Sequence, residues 1–174
     1  MKYFKSLFIR IVLCFVPVKF FLFIFTALTV YGSYLLLLPF FNILVKDSFL
    51  IVNGFPFEII EACVASLAYY LLWVLCLLTK DINIKIRAKI ILYGFLLIFG
   101  MNIFRIFLLV MIAFKYGFYW FSVVHLAFWN FVSGVYVALV WIFLVRHYKI
   151  HSIPIYDDIK TIYRMGFSKK KSRQ

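Results

Sequence analysis

Three side chains in this sequence stand where their chemistry is costly. Arg105 lies in the run Gly100-Met101-Asn102-Ile103-Phe104-Arg105-Ile106, with apolar residues on both sides. A charge inside an apolar span costs about 2.5–3.5 kcal/mol on insertion scales, so it should face protein or water and have a reason to persist. Asn102 is three positions earlier and projects from the same helix face. His125 sits in Val123-Val124-His125-Leu126-Ala127. Cys63 follows Glu61 by two residues and precedes Ser66 by three, so the start of its apolar run is wet.

Together a cysteine, a histidine and an arginine suit acyl transfer. A thiolate attacks a carbonyl, and needs a base or a nearby positive charge to form. Histidine can take the thiol proton and later give one to the leaving amine. Arginine, permanently charged, can stabilise the thiolate or the tetrahedral oxyanion. Each residue also has a plainer reading. Arg105 could snorkel to the headgroups, although it lies roughly ten residues, or ~15 Å of helix, from the outer end of its run. A lone histidine among apolar residues is often a hydrogen-bonded structural group. A membrane cysteine is usually a small apolar filler, which is how Cys14 and Cys76 read.

The elements that must position these groups are apolar runs. Hydrophobic residues make up 67% of the 174, and the mean hydropathy is +1.06. Soluble domains sit near about 45–50% apolar, so the surplus must face lipid. The 23 Phe and 12 Tyr residues suit a bilayer and its interfaces. Four runs are long enough for ~20 helical residues across a ~30 Å hydrocarbon layer: 20–45, 59–78, 90–114 and 120–145. A shorter stretch, Leu7 to Val18, precedes the first and is interrupted by Pro17. Residues 1–18 read either as an interfacial helix or as the start of a long first span. Lys2, Lys5 and Arg10 resemble the basic flank of a signal peptide, but the run is long and lacks a small-x-small cleavage site, so an uncleaved span is expected. Backbone in lipid must satisfy itself, which makes these spans helices. The expected fold is an all-α polytopic transmembrane bundle of about four spans.

Charge sets the orientation. The net charge is +13, with the basic residues concentrated at the N-terminus, in 80–89 and in the tail that ends Lys169-Lys170-Lys171-Ser172-Arg173-Gln174. The connections 46–58 and 115–119 carry one lysine each. Cytoplasmic loops carry the excess of Lys and Arg, which places both termini inside. The division expected is a membrane domain over 1–150 and a basic cytoplasmic tail over 151–174. This distribution points to anionic membrane lipids and away from nucleic acid. Three cysteines make no disulfide framework, and no Cys/His spacing suits zinc. Neither a metal nor another cofactor is expected.

Depth counting brings the three groups together. His125 is about eight residues, or ~12 Å, below Gly117, and Cys63 is about five residues, or ~8 Å, below Glu58. All three fall in the outer half of the membrane, on three different helices.

The order of these pieces resembles the exosortase/archaeosortase family of prokaryotic membrane proteins. The matching residues are Gly54 in an outer loop, Glu61-Ala62-Cys63, Asn102-Ile103-Phe104-Arg105-Ile106 and His125. The resemblance covers about residues 50–145. Many members have Cys-Ser-Gly or Cys-Thr-Gly where this chain reads Cys63-Val64-Ala65-Ser66, and larger members have about twice as many spans. The resemblance implies a cysteine protease or transpeptidase in the plasma membrane of a prokaryote. Its partners would be exported proteins bearing a C-terminal sorting signal: a short motif, a transmembrane helix and a basic cluster. Cleavage would fall near the outer face, and the new terminus would pass to an anchor such as a lipid. Cys63 carries over as nucleophile, Arg105 as the essential arginine and His125 as the third catalytic group. Asn102, Glu61 and Ser66 stand as supporting residues. The competing readings are a non-enzymatic transport or assembly factor, with Arg105 and Asn102 binding an anion or holding helices, and an enzyme acting on lipid.

Overall fold

A computed structural model describes residues 2–80, 82–128, 133–150, 152 and 154–171. Most of them are helical. In chain order the elements are α1 (Lys2–Cys14), α2 (Val18–Leu37), β1 (Ile43–Lys46), β2 (Phe49–Val52), β3 (Phe55–Glu58), α3 (Glu61–Val64), α4 (Ser66–Leu78), α5 (Ile84–Tyr116), α6 (Phe118–Ala127), α7 (Ser133–His147) and α8 (Tyr156–Lys171).

Two helices are long and apolar enough to cross a membrane: α2 with 20 residues and α5 with 33. α5 is the axis of the fold, and α2, α4, α6 and α7 all pack against it. Rings pin α2, α4 and α5 together. Phe25 stacks on Tyr69 of α4 at 3.6 Å between centroids, and Phe95 of α5 meets both edge-on at 5.6 and 5.3 Å. At Gly94 α5 approaches α4 so closely that a Cβ would run into the Leu72 side chain. Small residues at crossings let helices without a hydrophobic driving force gain dispersion contacts instead. Asn83 starts α5 by accepting from the Lys85 N–H at 3.1 Å, and Gly117, at φ +90°, ends it and turns the chain into α6.

Pro17 separates α1 from α2, as its missing N–H and fixed φ dictate. α1 then lies against α4. Tyr70 and Trp73 donate to the Cys14 and Leu13 carbonyls, both at 3.0 Å, satisfying groups that a helix end leaves open.

The all-helical expectation fails at 43–58. The run read as one span over 20–45 ends as a helix at Leu37, and β1, β2 and β3 form an antiparallel meander in that order. Val52 pairs with Phe55 across Asn53-Gly54, and Lys46 with Phe49 across Asp47-Ser48. Asn53 and Gly54 sit at φ +48° and +87°, the two positive values that a tight hairpin turn needs. The sheet buries Ile43, Leu50, Val52 and Phe57 and packs on α2. Phe57 also reaches the rings of Phe114, Phe118 and Phe121, 6.0 Å away in each case.

The second and fourth expected spans are also divided. The 59–78 run breaks at Ala65, leaving 13 residues in α4. The 120–145 run becomes α6 and α7, of 10 and 15 residues, on either side of 129–132. α8 returns to the core, where Asp158 meets Arg10 of α1 at 3.0 Å, both side chains buried.

Candidate functional site

The break at Ala65 builds the site. Ala65 adopts φ +59°, ψ +31°, the left-handed region that costs a residue with a Cβ about 1–2 kcal/mol. α3 therefore stops after a single turn. α4 restarts from Ala65 itself, whose carbonyl accepts from the N–H groups of Ala68 and Tyr69 at 2.9 and 3.3 Å. In a continuous helix the Ala62 and Cys63 carbonyls would accept from N–H groups four residues on. The turn takes those donors away.

Two polar side chains of α5 replace them. Asn102 Nδ2 donates to the Cys63 carbonyl at 2.7 Å, and Arg105 Nη2 to the Ala62 carbonyl at 2.9 Å. Asn102 is 4% exposed and Arg105 3%, so these bonds lie inside protein and snorkelling is ruled out. Backbone carbonyls buried away from water are tolerated only when the protein supplies a donor. The spacing of three that put Asn102 and Arg105 on one face thus serves two successive carbonyls.

The same turn presents the thiol. Cys63 is buried, and its own N–H donates to the Ile60 carbonyl at 2.8 Å. Its Sγ lies 3.9 Å from Nε2 of His125, within hydrogen-bond reach for sulfur. The half-buried His125 ring is steadied by Phe121, one helical turn earlier, with centroids 5.7 Å apart and planes inclined by 25°. For Nε2 to accept the thiol proton, the neutral ring must carry its own on Nδ1. The Arg105 charge acts on both Cys63 and His125. Its Nε is buried without a hydrogen-bond partner among the described residues, so the guanidinium keeps a spare donor.

Beside the arginine is a cavity of about 30 Å³ lined in part by Ala65, Asn102, Arg105, Ser133 and Tyr136. That is room for about one water molecule.

The structure thus brings Cys63, His125, Asn102 and Arg105 into one site from α3, α6 and α5. Of the other residues singled out by sequence, Ser66 is buried in the first turn of α4, while Glu61 is exposed in α3. Among the described residues no three His, Cys, Asp or Glu side chains gather as metal ligands would. Two residues escaped the sequence reading. Ala65 carries no signal, since alanine in an apolar run reads as helix. Arg10 did carry one: it lies in the apolar stretch Leu7–Val18, and the insertion-cost argument used for Arg105 applies to it.

Comparison with known proteins gives no match: no family model, curated protein or solved structure matches the chain.

Proposed function

We propose that this chain is a multi-pass protein of a prokaryotic plasma membrane, with both termini cytoplasmic, that acts as a cysteine protease or transpeptidase on exported proteins. The observation that carries the reading is the 3.9 Å approach of Cys63 Sγ to His125 Nε2, beside a buried arginine. His125 takes the thiol proton as Cys63 attacks the scissile carbonyl. The C–N bond breaks, the amine leaves with the proton from His125, and a thioester remains. Water or an acceptor nucleophile then attacks the thioester and releases Cys63. Arg105 supplies positive charge where negative charge develops, and in a site of low dielectric that stabilisation is larger than in water. The left-handed Ala65 also supports the reading, because it stands where many exosortase-like chains have glycine, the residue suited to that conformation.

A second reading rests on a different observation. Asn102 and Arg105 are both engaged with backbone carbonyls, which is a structural role and suits a non-enzymatic transport or assembly factor.

Co-expression with an exported protein carrying a short motif, a transmembrane helix and a basic cluster separates the two. Wild type should trim the C-terminus, and Cys63→Ala should abolish trimming. Trimming that survives Cys63→Ala removes the nucleophile. A silent Cys63→Ala, combined with loss of a transport or assembly phenotype in Arg105→Ala, selects the second reading.

A further inference from the structure

A second cluster of buried charge lies at the far end of α4 from Cys63. Arg10 reaches across from α1 and donates through Nη1 to the Leu77 and Thr79 carbonyls, both at 3.3 Å. Arg87 of α5 donates to the same Thr79 carbonyl at 3.0 Å. Helix C-termini attract cations in this way. Arg10 is also paired through Nη2 with the buried Asp158 of α8 at 3.0 Å, so the less compensated charge is that of the half-buried Arg87.

Both arginines line a groove of about 720 Å³ between α1, α4 and α5, together with Lys5 and Lys80. No Asp or Glu lines it among the described residues. Beyond the cations the walls are apolar, with Leu13, Trp73 and Ile91 along them. Trp73 is itself anchored by its bond to the Leu13 carbonyl, an aromatic with one apolar side and one polar handle. A groove basic at one end and apolar along its length matches a molecule with the same division.

We propose that this groove binds one anionic phospholipid, with the phosphate at Arg87 and Lys5 and an acyl chain along Leu13, Trp73 and Ile91. Charge complementarity selects an anionic headgroup over a zwitterionic one, and the apolar wall selects a lipid over a free phosphate. Placing the lipid in the cytoplasmic leaflet rests on the membrane orientation proposed above. Binding itself rests on the groove and is independent of the chemistry at Cys63.

The test uses the full-length protein in neutral detergent, with native mass spectrometry reading the bound fraction. The probes are phosphatidylglycerol, phosphatidylcholine and inorganic phosphate. One phosphatidylglycerol should bind at least about tenfold more tightly than phosphatidylcholine, and Cys63→Ala should bind it equally well. Each basic residue near an anionic headgroup contributes about fivefold, so Lys5→Gln should lose about fivefold and Lys5→Gln/Arg87→Gln about 30-fold. Lys5 is exposed, so the single variant tests the site without disturbing the capping of α4. Equal affinity for the two lipids, displacement of phosphatidylglycerol by millimolar phosphate, or full binding by Lys5→Gln overturns the proposal. Because the readout is binding in detergent, failure here leaves the trimming experiment standing, and the reverse also holds.

Discussion

Replacing His125 by alanine tests the site without knowledge of its substrate. The histidine is half-buried, and its contacts described here are the 3.9 Å approach to Cys63 and the stack on Phe121. An aromatic stack contributes about 0.5–1.5 kcal/mol. In a chain of this size that corresponds to a loss of melting temperature of a few degrees, at roughly 2–4 °C per kcal/mol. The chemical effect should be far larger. A positioned general base contributes about 10²–10⁴-fold, so alkylation of Cys63 by iodoacetamide at neutral pH should slow on the order of 10²-fold. Peptide-resolved mass spectrometry reads each cysteine separately, and Cys14, on α1 rather than at the site, serves as the internal control. Loss of reactivity at Cys63 alone, in a protein that melts within a few degrees of wild type, is the expected result. An unchanged Cys63 rate in His125→Ala would mean that the 3.9 Å contact activates nothing. An equal fall at Cys14 would point to a global change instead.

Two further variants separate architecture from chemistry. Asn102→Ala removes the 2.7 Å bond to the Cys63 carbonyl and leaves that acceptor buried and unpaired; a loss of about 1–3 kcal/mol is expected in thermal or denaturant unfolding, and no loss would mean the carbonyl finds another donor. Asp158→Ala and Asp158→Asn both strip the buried Arg10 of its carboxylate charge; removing one partner of a buried pair costs about 3–5 kcal/mol, so both variants should melt well below wild type, and a wild-type melting temperature in Asp158→Asn, which keeps a hydrogen-bonding oxygen, would refute an ionic role.

Much of the site was legible because polar groups in apolar runs must be explained. Arg105 and Asn102 share a face by their spacing, and counting helical rise from the loops put Cys63 and His125 at one depth. The bonds that fix Arg105 were not legible, because they depend on a break at Ala65 that nothing in its side chain announces. The sheet was hidden for another reason. Hydropathy reports burial and not backbone period, so Leu38 to Val45 read as the end of a span. Gly54 marked a loop, but the apolar residues on either side of it were too few to declare a strand. The helices of 10 to 15 residues show the converse limit. An apolar run fixes how much chain is sheltered from water, not how many elements share it.

The broken second segment also bears on how the protein is made. During synthesis residues 61–78 leave the ribosome before α5 does. Until Asn102 and Arg105 arrive, the Ala62 and Cys63 carbonyls lack the side-chain donors that serve them in the folded chain. The later helix therefore completes the earlier one, and the site around Cys63 exists only once α5 has packed against residues 61–78.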